Sequence, residues 1–157
     1  MTPERLRLEV EELYYDYVEA LDEGELERWP EFFTEVCLYK IVPRENVERG
    51  LPLALMLCES RGMLRDRVAA VRQANVYAPR TWRHLLSNIR LKGQEGETLR
   101  VQANYAVFET LIDEETRLLN VGRYVDRIVR DGGALRFAEK LCIFDSVLVP
   151  GSLVYPI

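Results

Sequence analysis

The chain carries a single histidine, His84. Acid–base chemistry near neutral pH has to start there, because imidazole alone has an ordinary pKa between about 5 and 8. His84 sits in Thr81-Trp82-Arg83-His84-Leu85-Leu86-Ser87-Asn88-Ile89-Arg90-Leu91, a run that reads as an extended strand. Successive strand side chains point to opposite faces. Trp82, His84, Leu86, Asn88 and Arg90 are therefore expected on one face, and Arg83, Leu85, Ser87, Ile89 and Leu91 on the other. In a pocket, His84 would serve as general acid or base, oriented by a carboxylate or by Asn88, with a tyrosine such as Tyr105 polarising a carbonyl. The same imidazole bonded to backbone or to a partner would be structural. One titratable group without an identified mate favours the structural reading.

Other chemistries fail on residue type. A Rieske cluster needs two cysteines and two histidines, and a mononuclear iron triad needs two histidines and a carboxylate. Cys37, Cys58 and Cys142 are far apart in apolar contexts and form no CxxC pair. They read as buried free thiols rather than as a zinc site completed by His84. No GxGxxG or GxxxxGK[ST] loop is present to cradle phosphate, and no GxSxG elbow to present a serine. The net charge is −5, from 26 acidic and 21 basic residues, which disfavours nucleic acid as a general partner. Arg61, Arg65, Arg67 and Arg72 are interleaved with Glu59 and Asp66 and read as a solvated helix face. No apolar run approaches the ~18 residues that span a bilayer. The start Met1-Thr2-Pro3-Glu4-Arg5 lacks a signal-peptide core, so no membrane partner and a cytoplasmic location are expected.

The elements that must position His84 follow from periodicity. Thr2-Pro3 supplies a hydroxyl N-cap and a proline at the first helical position. Leu6, Val10, Leu13, Tyr14, Tyr17, Val18 and Leu21 then mark an amphipathic helix that Asp22-Glu23-Gly24 ends. A second helix is expected over Leu26–Thr34, with Leu26, Trp29 and Phe33 inward and Pro30 in its first turn or at a kink. A short strand over Cys37–Val42 and a loop over Arg44–Pro52 come next. Leu53–Cys58 is wholly apolar, either a buried strand or a helix entry. Glu59–Asn75 reads as a helix with Leu64, Val68 and Val71 as its stripe. The remainder is a meander of long strands: Thr81–Lys92, Thr98–Ile112, Arg117–Arg130 and Leu135–Val147. Their turns are Gly93–Glu97, Asp113-Glu114-Glu115 and Asp131-Gly132-Gly133, the last a strong hairpin signal. Such lengths imply a strongly curved sheet, and Gly122 is expected at a bend. Helices first and antiparallel strands after make an α+β class. The expectation is one domain over residues 1–157, shaped as a cone with the helices across its concave side.

Several stretches in this order resemble a known family. They are Thr81–Ile89 (TWRHLLSNI), Val121-Gly122-Arg123-Tyr124-Val125-Asp126, Ala138–Asp145 (AEKLCIFD), the middle segment from Gly50 to Val68, and the terminal Leu153-Val154-Tyr155-Pro156-Ile157. Over nearly the whole chain they are similar to the small (beta) subunits of bacterial aromatic-ring-hydroxylating dioxygenases. The order of elements resembles the cone shared by nuclear transport factor 2, ketosteroid isomerase and scytalone dehydratase. The resemblance implies a non-metal-binding, mainly structural subunit in aromatic hydrocarbon catabolism. It implies a trimer of this chain within an α3β3 hexamer, whose large (alpha) oxygenase subunit carries the Rieske [2Fe–2S] cluster and the mononuclear iron. Dehydratases of this superfold pair a histidine like His84 with a second one on the next strand. Here that strand reads Val101-Gln102-Ala103-Asn104-Tyr105-Ala106-Val107-Phe108 and has none.

The reading is then a beta subunit with no catalytic, cofactor or metal residues of its own. The alternatives are a stand-alone isomerase or dehydratase using His84, with Asn88 and Tyr105 in its pocket, or a small-molecule-binding module. Both sheet faces hold apolar residues and helices cover only one, so the other is expected to meet neighbours. Arg83, Arg123, Tyr124, Asp126, Arg127 and Glu139 are the interface candidates. Arg100, Arg136 and Glu109 are further charges that would fix register.

Overall fold

In the computed structural model, which describes residues 1–74, 79–146 and 155–157, helix α1 spans Pro3–Asp22. Its start follows the expected chemistry: the Thr2 hydroxyl accepts from the Arg5 N–H at 3.2 Å. Val10, Leu13, Tyr14, Tyr17, Val18 and Leu21 are buried as one stripe. Full burial of an aliphatic side chain of this kind contributes roughly 1.5–3 kcal/mol.

The expected second helix is a 3-10 helix, Leu26–Phe32, and stops short of Thr34. Pro30 lies inside it. Proline lacks the N–H an α-helix needs at that point and clashes one turn back, whereas a short 3-10 turn tolerates it. Strand β1 accordingly starts early and covers Phe33–Pro43 rather than Cys37–Val42. A one-turn helix α2, Arg44–Glu48, occupies the start of the expected loop. The apolar run 53–58 resolves as strand β2, Met56–Cys58, while Leu53 stays 67% exposed. Helix α3 spans Arg61–Gln73, with Ser60 as N-cap accepting from the Met63 N–H at 3.1 Å. The expected end of this helix, Asn75, lies outside the described residues. Its arginines are not merely solvated. Arg61 reaches Glu35, Arg65 reaches Glu31 and Arg72 reaches Glu27, tying α3 to the 3-10 helix and β1.

The meander consists of β3 (Arg80–Glu95), β4 (Thr98–Leu111), β5 (Arg117–Asp131) and β6 (Ala134–Phe144). Val147, expected at the end of β6, lies outside the described residues. The sheet has six strands in the order β2-β1-β6-β5-β4-β3. Every pairing is antiparallel except β1 with β6, which is parallel. The Gly132-Gly133 turn has positive φ at both residues, the geometry that fits a two-residue hairpin to the strand twist. Register shifts interrupt β3 against β4, β4 against β5, and β5 against β6. Each such bulge adds local twist, and together they curl the sheet around α1. Gly122 marks a close approach: a Cβ there would stand 2.0 Å from the Ile143 carbonyl oxygen of β6.

The core lies between α1 and the concave sheet face. Tyr14, Tyr17, Phe33, Tyr124 and Phe137 meet there largely edge to face, with centroids 5.4–6.3 Å apart. Among the described residues no helix covers the convex face over β3 and most of β4 and β5, which leaves Leu85 at 54%, Leu118 at 53% and Val121 at 37% exposure.

Candidate functional site inside the cone

His84 faces inward from β3, as strand alternation predicts, and its side chain is only 2% exposed. Its mate is Asp22, the last residue of α1, which the sequence presents merely as a helix stop. The carboxylate accepts from the His84 main-chain N–H at 3.0 and 3.1 Å and lies 2.6 Å from Nδ1. One acid thus holds both the edge backbone of β3 and the imidazole, and locks the end of α1 to the sheet. Nε2 is buried with no hydrogen-bond partner among the described residues.

Asn88 does not join His84. The register slips between Ser87 and Arg90, and Asn88 takes a left-handed φ of 53°. Asparagine tolerates that conformation better than most residues. The bulge reverses the alternation, so Asn88 is exposed while Ile89 turns toward the core. Tyr105 does face inward, but its hydroxyl donates to Asn120 Oδ1 at 2.6 Å and its ring stacks on Tyr124 at 4.4 Å. His84, Asn88 and Tyr105 therefore do not form one reacting constellation.

At the centre of the cone stands a charged pair. Lys140 on β6 and Asp126 on β5 are direct cross-strand partners. Both side chains are 0% exposed, and Nζ lies 2.8 Å from Oδ2. The Tyr14 hydroxyl donates to the same carboxylate oxygen. Rings of Tyr124, Phe137, Tyr17 and Tyr14 surround the ammonium, with centroids 3.6, 4.1, 4.6 and 4.7 Å away. The electron-rich ring faces replace part of the cation's lost hydration. Burial pushes the Asp126 carboxyl above its ordinary value, against the pull of Lys140 and Tyr14. Tyr124 and Asp126, expected at an interface, are thus interior residues of this chain. The signal was present: Tyr124-x-Asp126-x-Ile128 and Lys140-x-Cys142-x-Phe144 each place a charge within an inward apolar row.

A second cluster closes the other side. The main-chain oxygen of Ile157 accepts from the hydroxyls of Tyr17 at 2.9 Å and Tyr39 at 3.0 Å, and Trp29 Nε1 donates to the Tyr17 hydroxyl at 3.1 Å. Ile157 is 1% exposed. Among the described residues the interior beneath α1 is occupied by the chain's own rings, a buried ion pair and Ile157.

Of the other charges, Glu109 is buried between Arg80 at 2.9 Å and Arg117 at 2.6 Å. Burial raises its pKa, but the two guanidiniums outweigh it and hold the carboxyl below its usual range. Arg127 pairs with Glu95 and Glu139 on the protein's own surface. Arg83 and Arg123 are exposed. Cys37, Cys58 and Cys142 are free and buried on three different strands, and burial pushes the Cys142 thiol up to about 12. No group of three or more His, Cys, Asp or Glu side chains suited to a metal ion occurs among the described residues.

The Asp22 contact predicts a measurable effect. Asp22→Ala removes the acceptor of the His84 main-chain N–H and the partner of its buried Nδ1, and is expected to cost about 1–3 kcal/mol, the usual penalty for stranding such groups. Urea denaturation followed by circular dichroism measures it. An unchanged midpoint would show that Asp22 does not anchor His84.

Helices laid in the concavity of a curled, unclosed sheet define the cone fold. The comparisons agree and go further. The family model described as "Ring hydroxylating beta subunit" matches residues 17–150. The small subunit of anthranilate 1,2-dioxygenase from Burkholderia cepacia is 40% identical over 141 residues, covering 90% of this chain and 88% of that protein. Beta subunit 1 of the terminal oxygenase component of terephthalate 1,2-dioxygenase from a Comamonas species is 28% identical, covering 90% and 92%. A crystal structure from Novosphingobium aromaticivorans, assigned as the beta subunit of an aromatic-ring-hydroxylating dioxygenase, superposes with a TM-score of 0.89 at 40% identity over 98% of both chains. This chain belongs to the ring-hydroxylating dioxygenase beta-subunit family.

Proposed function

We propose that the chain is a non-catalytic, mainly structural subunit that joins a large oxygenase subunit and associates in threes to build an α3β3 hexamer in the cytoplasm. The observation that carries this reading is the densely packed interior beside a convex sheet face that the described helices leave largely uncovered. Among the described residues the interior is taken up by aromatic rings and the Lys140–Asp126 pair, while the outside offers apolar surface for neighbours. One histidine and three dispersed cysteines fit neither a Rieske cluster nor a mononuclear iron triad. The reading therefore assigns both to the large subunit, and no chemical step runs through this chain. The stand-alone isomerase or dehydratase is not favoured, since the His84 imidazole is buried and its Nδ1 faces Asp22. Anthranilate and terephthalate, named for the two relatives, are both rings bearing a carboxylate. The substrate class of the whole complex is taken to be an aromatic carboxylic acid.

Light scattering at micromolar concentration tests the assembly. The chain alone is expected to run well above its 18.3 kDa mass, and larger still after co-expression with a cognate large subunit. Oxygen uptake with aromatic acids should require both chains. A monomer in both preparations would overturn the proposal, as would turnover by this chain alone.

A further inference from the structure

We infer that copies of this chain contact one another by inserting the β4–β5 turn of one into a groove on the outer sheet face of the next, with Arg123 as the charged anchor. The inference rests on the self-association proposed above and names the surfaces that make it.

The groove encloses about 540 Å3 between α2 and the convex face of β4, β5 and β6. Val47, Val121, Val125 and Ile143 give it apolar walls, and two arginines enter it, Arg44 and Arg123. Arg44 is already engaged by Asp145 at 3.4 Å and Glu48 at 3.7 Å. Arg123 is exposed, and its side chain makes no hydrogen bond or ion pair among the described residues. Glu48 and Asp145 also line the groove, and both are spent on Arg44. A groove with apolar walls and one unspent guanidinium suits a carboxylate carried on an apolar segment, because Arg binds carboxylates in a two-pronged geometry.

The chain presents such a segment. Between β4 and β5 lie Asp113, Glu114 and Glu115, flanked by Ile112 at 67% and Leu118 at 53% exposure. None of the three acids is ion-paired among the described residues. The turn is preformed: the Thr110 and Thr116 hydroxyls lie 2.8 Å apart, the Glu114 N–H donates to the Leu111 carbonyl at 3.1 Å, and Asp113 adopts a left-handed φ of 60°. A rigid knob loses little entropy on docking. At about 3.3 Å per residue the turn lies roughly 20 Å along β5 from Arg123, so it cannot fill its own groove. Knob and groove belong to different surfaces, and a contact of that kind closes a ring when its rotation is a whole fraction of a turn, which a threefold assembly requires. The opposite charges would steer the knob and fix its register.

The test is a charge exchange read by light scattering and sedimentation, with circular dichroism confirming the fold. Arg123→Glu is expected to weaken self-association at least tenfold, and the paired change Glu114→Arg with Glu115→Arg to do the same from the other side. The chain carrying all three substitutions is expected to recover most of the wild-type assembly. Arg123→Gln, which keeps a polar exposed side chain, serves if the reversal harms folding and should weaken association by a smaller factor. Normal self-association by folded Arg123→Glu, or failure of the combined exchange to recover assembly, would overturn the contact and leave the beta-subunit reading standing. Loss of binding to the large subunit alone, with self-association intact, would assign the groove to that subunit and equally overturn it. A wild-type chain that is monomeric in every mixture would remove both.

Discussion

Lys140→Ala is expected to destabilise the protein by about 3–5 kcal/mol, the usual cost of removing one partner from a buried ion pair. The ammonium is the only cation paired with Asp126 among the described residues, 2.8 Å away with both side chains 0% exposed. Without it, a carboxylate remains in an apolar core with the Tyr14 hydroxyl as its main support. For a chain of this length each kcal/mol corresponds to roughly 2–4 °C in melting temperature, so the loss is large. The pH dependence gives the variant a signature. The Asp126 carboxyl already titrates above its ordinary 3.8 in the native protein because of burial, and removing Lys140 raises it further. From 3.8 upward to that raised value, the folded state then holds a proton that the unfolded state has lost. Stability of the variant therefore falls as pH rises through this window, and is best at its acidic end. Replacing both partners, Lys140→Met with Asp126→Leu, should cost much less than the two single changes together, because no charge is left stranded. Urea denaturation at two pH values, such as 5 and 8, measures all of this. A Lys140→Ala midpoint within 1 kcal/mol of wild type at pH 8 would mean the pair is not stranded by the loss of its cation.

Gly122→Ala should be nearly as damaging through backbone rather than charge. The added Cβ would meet the Ile143 carbonyl oxygen at 2.0 Å and the Phe144 Cα at 2.7 Å. Neither atom is the end of a flexible side chain, so relief requires β5 and β6 to separate where Gly122 pairs with Phe144. Overpacking usually costs about 1–3 kcal/mol, and more when backbone must move. The expected value is at or above the top of that range, with reduced soluble yield. Gly62→Ala is the control: the new methyl finds only the Ser60 hydroxyl, at 3.7 Å, inside α3, where alanine gains up to about 1 kcal/mol over glycine. Equal stability of Gly122→Ala and wild type would show that the strands can part cheaply.

What could be read in the sequence, and what could not, divides along separation in the chain. The stripe from Val10 to Leu21, the Thr2 and Ser60 caps, the turn at Gly132-Gly133 and the four long strands are local. Hydrophobic periodicity and turn chemistry act within a few residues, and these were legible with small errors at the ends. The inward direction of His84 was legible for the same reason. The composition argument against metal and nucleotide chemistry needed only residue types.

Tertiary structure decided the partners and the breaks in alternation. A one-residue bulge at Asn88 moved that side chain off the face of His84, and alternation has no term for a bulge. Pro30 set a 3-10 turn because β1 had to begin at Phe33 and pair with Phe137 more than a hundred residues on. Asp22 met His84 across 62 residues, and Asp126, which in isolation resembles a surface charge, met Lys140 because a hairpin placed them opposite each other inside a ring of tyrosines. The sequence by itself determined the elements and the class of fold, since short-range sterics and hydrophobic spacing are sufficient for those. Only the tertiary structure decided which side chains share the interior of the cone, because that depends on register, bulges and strand order, and these are settled by the global balance of burial.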